Sequence, residues 1–135
     1  MVTLAAHAPA YAASTTAPTV SGAAAYTVCK QPGGPNGPNC QGYRMSLTFT
    51  VDAPDTWTVT FTSAKVNGTE FIATIDPNPH VFTVSSANPT VNFAICTEAS
   101  PSQFAFDLTY TVERPGVAPV SVIAPTANIS GIKNC

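Results

Sequence analysis

Thr56-Trp57-Thr58-Val59-Thr60-Phe61-Thr62 alternates without a break, with threonine on one side and a large apolar side chain on the other. Successive side chains of an extended chain point to opposite faces, so this stretch reads as a strand with one wet and one buried face. The same period runs on both sides of it. Upstream, Met45, Leu47, Phe49 and Val51 oppose Ser46, Thr48 and Thr50. Downstream, Phe106, Leu108, Tyr110 and Val112 oppose Asp107, Thr109, Thr111 and Glu113. Turns separate the runs. Asp52-Ala53-Pro54-Asp55 and Asp76-Pro77-Asn78-Pro79 break the chain, and Asn67-Gly68 is a hairpin turn by composition. Further extended runs are predicted at 25–29, 70–75, 81–85, 90–96 and 117–123, and no window has helical spacing with a cap. About seven to nine short strands with turns every ~8–12 residues predict an all-β, antiparallel β-sandwich, immunoglobulin-like or jelly-roll-like.

The expected core is Leu47, Phe49, Trp57, Val59, Phe61, Phe71, Phe93, Phe106, Leu108 and Tyr110. Each such side chain contributes roughly 1.5–3 kcal/mol when fully buried, so the core does not depend on cross-links. Residues 23–135 are read as one domain. Residues 1–22 form an Ala/Thr/Pro-rich arm without an acid, lysine or arginine. Within it Ala10-Tyr11-Ala12 has the small-x-small form of a signal-peptidase site, without a basic segment before it. The arm is either the remnant of a leader or a plain tail able to pair with a neighbour's sheet edge. Residues 19–28 are the segment expected to do so.

Charged residues make up 9% of the 135, against a usual ~25%. Lys30, Arg44, Lys65, Arg114 and Lys133 are scattered, which argues against nucleic acid as a partner, since phosphate binding needs several cations on one face. No apolar run approaches the ~20 residues of a membrane span.

Four cysteines, Cys29, Cys40, Cys96 and Cys135, in so uncharged a chain point to an oxidising compartment, extracellular or at the cell surface. Three pairings are open. Spacing favours Cys29–Cys40, closing the Pro/Gly-rich loop 31–39, with Cys96–Cys135. The alternative is Cys40–Cys96 with Cys29–Cys135, and Cys135 could also reach another subunit. In the alternative, Cys40, Trp57 and Cys96 resemble the Cys…Trp…Cys order of immunoglobulin domains. Ala94 stands where those domains carry a tyrosine, so the resemblance extends to the sandwich and no further.

No catalytic or cofactor motif emerges, and the chain is read as neither an enzyme nor a cofactor or metal protein. His7 and His80 are isolated, and Asp52, Asp55 and Asp76 fall in turns, where aspartate commonly bonds nearby backbone. Calcium would need two loops to converge. The threonines of 56–62 resemble the ice-binding faces of some antifreeze proteins, and Thr48, Thr50, Thr109 and Thr111 would widen such a face if their strands were neighbours. Threonine also simply suits a solvated strand. Asn67-Gly68-Thr69 and Asn128-Ile129-Ser130 are N-glycosylation sequons. Tyr26 and Tyr43, near the 31–39 loop, are the candidate ligand-binding aromatics. Cysteines near both ends also resemble those of carbohydrate-binding β-sandwiches. Two functions follow as expectations. The first is a non-enzymatic structural or assembly module of a wall, fibre or surface layer, self-associating through its arm. The second is a polysaccharide-binding module.

Overall fold

The computed structural model describes residues 16–31, 40–52 and 56–135. His7, Asp55, the Ala10–Ala12 pattern and most of the 31–39 loop lie outside the described residues. Ten strands are present among those described: β1 (Tyr26–Lys30), β2 (Gln41–Thr48), β3 (Trp57–Val66), β4 (Thr69–Glu70), β5 (Val81–Val84), β6 (Thr90–Thr97), β7 (Phe104–Arg114), β8 (Val117–Ile123), β9 (Ala127–Ile129) and β10 (Lys133–Asn134). The two-residue β4 and β10 exceed the expected count. The helical content described is two 3₁₀ turns, Ala23–Ala25 and Ile72–Thr74.

Two sheets face each other, as the alternation predicts. One has four strands in the order β10-β1-β2-β6. In the other, β7 and β3 form the centre. β9 and β8 share the outer edge of β7, and β4 and β5 share the outer edge of β3. All pairings are antiparallel except β10 with β1. Aromatic rings lock the layers together: Tyr26 on Phe106, Tyr43 on Phe104, Phe49 on Tyr110 and Phe61 on Phe93, with centroids 4.8–5.4 Å apart. Such pairs add about 0.5–1.5 kcal/mol beyond the area they bury. Nine of the ten expected core residues are buried. The tenth, Phe71, is only half-buried.

Strict period two fails at one point of β3. It would place Ser63 and Lys65 inside, yet Ala64 and Val66 are the buried residues. A bulge between Phe61 and Ser63 shifts the register against β7 and turns the small and apolar side chains inward. The strand expected over 70–75 is also corrected. It stops at Glu70, whose carboxylate accepts hydrogen bonds from the Ala64 and Ile72 N–H groups at 2.7 and 3.1 Å and from the Ser63 hydroxyl. That bonding turns the chain through Ile72–Thr74 toward the other sheet, where Asp76 bridges Ala94 on β6.

The segment expected to pair with a neighbour is paired within its own chain. Thr19 exchanges backbone hydrogen bonds with Thr50 at 3.0 and 2.8 Å, and β1 lies between β2 and β10. Val20 is buried, and the Tyr110 hydroxyl donates to Pro18 O at 2.9 Å. Within residues 19–28, Thr19 and residues 26–28 are thus already paired inside the chain.

Candidate functional site: two clefts that meet at Asn67

The tyrosines proposed as ligand-binding are core residues. Tyr43 is fully buried, and its hydroxyl donates to Pro101 O at 2.6 Å, tying β2 to the loop before β7. Tyr26 is 8% exposed, and its hydroxyl has no hydrogen-bond partner among the described residues. Burial pushes the Tyr43 and Tyr110 phenols up to about 12. Burial raises Tyr26 as well, helped by Tyr110 and Asp107 nearby. None of these rings presents a face to solvent. Period two already groups Tyr43 with Met45, Leu47 and Phe49, and that register prevails over its nearness to the loop.

All four cysteines are paired, as Cys29–Cys135 and Cys40–Cys96, with Cα separations of 4.9 and 5.6 Å. This is the alternative pairing, and the favoured Cys29–Cys40 is overturned by register. In the β1–β2 ladder Cys29 stands opposite Arg44, four residues beyond Cys40 along the strand, so the two sulfurs cannot meet. Gln41 opposite Thr97 and Gly42 opposite Cys96 bring Cys40 to Cys96 instead. Both disulfides join elements of the four-stranded sheet. They do not bridge the layers as the immunoglobulin disulfide does.

The threonine rows are adjacent on one sheet only. Thr60 pairs with Thr111 and Ser63 with Thr109, whereas Thr48 lies on β2 of the opposite sheet. The bulge at Phe61/Ser63, Glu113 opposite Thr58 and exposed Val81 and Ile123 interrupt the grid. His80 bonds Pro77 O through Nδ1 at 2.8 Å, and Asp52 is exposed. Among the described residues no three His, Cys, Asp or Glu side chains come together. No helix described is long and apolar enough to cross a membrane.

The concave surface lies elsewhere, at the end of the sandwich marked by the β3–β4 turn. Asn67 and Gly68 both have positive φ, 50° and 83°, the geometry that lets a two-residue turn follow the twist of its strands. The Asn67 N–H donates to Ala105 O at 2.9 Å, and the Ala105 N–H donates to Asn67 Oδ1 at 3.0 Å. This pins the turn to the start of β7. On the other side of β7, Asn128 of β9 stands opposite Ala105. Ala105 has little side chain, so the two asparagines flank a hollow. It is a cleft of about 470 Å³ whose polar lining is Asn67, Gln103, Asn128 and Ser130. A second cleft, about 210 Å³, shares Asn67 as a wall and is lined further by Thr69, Phe71, Glu98 and Pro101.

Four elements far apart in sequence build this surface. Asn67 and Asn128 were marked only as sequon acceptors, and both are exposed. Gln103 and Glu98 carried no signal of their own, and Phe71 was expected in the core but is only half-buried. The polar side chains of the lining are neutral amides and hydroxyls apart from Glu98, with no cation among the described residues of either cleft. It can exchange hydrogen bonds in both directions with an uncharged polar ligand.

In comparison with known proteins, no family model matches this chain and no curated protein matches it.

Proposed function

We propose that this protein is a non-enzymatic structural module of the extracellular or cell-surface space, a subunit or spacer of a wall, fibre or surface layer. The observation that carries the reading is the Cys29–Cys135 disulfide. It spans a sequence separation of 106 residues and fastens the last strand beside β1. Nearly the whole sandwich thereby lies inside one covalent ring. A second ring through Cys40 and Cys96 lies within the first. Such cross-links persist in oxidising compartments and restrict unfolding there.

The use of the polar side chains supports the same reading. Glu70 holds a turn, Asp107 accepts from the Thr126 hydroxyl, and Tyr43 and Tyr110 cap carbonyls. Groups so engaged are poorly placed to serve as acids, bases or nucleophiles. The test follows the protein in the cells that make it. It should be recovered outside the cytoplasm with all four sulfurs unreactive toward maleimide until a reductant is added. Recovery from the cytosol with thiols that react at once would contradict the proposal.

A further inference from the structure

Beyond a structural role, we infer that the paired clefts at Asn67 form a binding site for a neutral oligosaccharide. The larger, at about 470 Å³, falls in the ~300–1,000 Å³ range of small-molecule sites. Its polar groups are three carboxamides and a hydroxyl. A carboxamide offers two N–H donors beside a carbonyl acceptor, which matches neighbouring sugar hydroxyls that both donate and accept. Gln103 and Asn128 are exposed, and their side chains make no hydrogen bond to the fold among the described residues, so this capacity is unspent. Asn67 differs. Its oxygen is held by the Ala105 N–H, which fixes the amide plane and leaves its NH₂ for a ligand. A donor fixed in advance loses less freedom on binding.

The first cleft's aromatic residue, Phe104, is buried in the core, and the second cleft adds a more accessible one. Half-buried Phe71 lines it and gives an aromatic surface for the C–H face of a sugar ring, while Glu98 adds an acceptor at its side. Asn67 belongs to both walls, so a chain of sugars can cross from one cleft to the other. Charge decides the class of saccharide. With Glu98 present, no cation among the described residues lining either cleft and a net charge of −2, an anionic polymer is disfavoured.

The test uses the full oxidised chain, made in a host that does not N-glycosylate and labelled with ¹⁵N. It is titrated with cellohexaose, chitohexaose, maltohexaose and mannohexaose, with hexagalacturonate as the anionic control. At least one neutral hexaose should shift the side-chain amides of Asn67, Gln103 and Asn128 and the backbone signals around Phe71, and hexagalacturonate should shift none. Gln103→Ala and Asn128→Ala should each weaken that binding about fivefold to tenfold, the worth of one ordinary hydrogen bond. Both should leave the remaining spectrum unchanged, which separates a lost contact from a lost fold. Phe71→Leu, which keeps apolar bulk, should weaken binding as well. Silence at these amides with all four neutral sugars, or shifts that map to another face, would overturn the assignment. It would leave the structural role untouched.

Discussion

Gly42 sits where any side chain would collide. A Cβ built there would lie 2.6 Å from Ile95 O and 3.3 Å from Cys40 Sγ. The strand thus passes close beneath the Cys40–Cys96 link because this position has no side chain. Gly42→Ala should cost about 1–3 kcal/mol, read as a lower urea midpoint. The buried tyrosines set a second expectation. Their unfolded pKa is about 10, and burial raises Tyr43 and Tyr110 to about 12. A group whose folded pKa is raised stabilises below its unfolded value, and that contribution is lost as pH rises through the folded one. Stability should therefore not respond to these phenols between about pH 7 and 9. Above pH 10 stability should fall, and these buried phenols should ionise only together with unfolding. Gradual ionisation of all four tyrosines near pH 10 with an unchanged circular dichroism spectrum would contradict the burial of these rings. Trp57, Phe61 and Tyr110 were legible as core because each sits in an unbroken alternation. Asn128 and Gln103 were not, because what places them together is the pairing of β9 with β7.

The turn after β4 depends on one carboxylate. Partial burial works to raise the Glu70 pKa, but hydrogen bonds from Ser63, Ala64 and Ile72, with Lys65 nearby, outweigh it and hold the group below the ordinary value. The stability this contributes is present above the unfolded pKa, near 4.3, and is lost as pH falls through the lower folded value. Glu70→Gln keeps the shape but not the charge. The stability gap between wild type and this variant should be constant from about pH 6 to 8 and should close below about pH 4. A gap that persists in acid would mean that the carboxylate is not the holding group. Residues 16–22 set the other test among the elements. A chain beginning at residue 23 loses the Thr19–Thr50 pairing, buried Val20 and the acceptor of the Tyr110 hydroxyl. It should unfold at a lower temperature than a chain beginning at residue 16, by at least about 2 kcal/mol, since an aliphatic core residue and a buried acceptor go together. Equal melting would show that this segment does not belong to the sandwich. Period two located β2, β3 and β7 to within a few residues. It could not show the bulge in β3, where a shift of one residue costs less than burying Lys65.

The whole molecule combines a well-filled aromatic core with two nested covalent rings. The chain-entropy account rates a link mainly by the loop it closes, and it gives about 4–5 kcal/mol for loops of either size here. Measured values run lower, about 2–5 kcal/mol for a native disulfide. Replacing Cys29 and Cys135 together by serine should therefore lower stability by about that amount and detach β10, yet leave a folded core with the near-ultraviolet signal of Trp57. Loss of all tertiary signal at 25 °C would mean that the core is weaker than its burial suggests. The two-layer architecture was readable from alternation, and the presence of disulfides from the cysteine count. The pairing was not, because it depends on where each strand stops along its neighbour. The most direct test is a peptide map of the unreduced protein, with free thiols blocked before digestion. The expected map links the Cys29 peptide to Cys135 and the Cys40 peptide to Cys96, and contains no blocked cysteine. A Cys29–Cys40 link, or four blocked thiols in protein recovered without reductant, would contradict it.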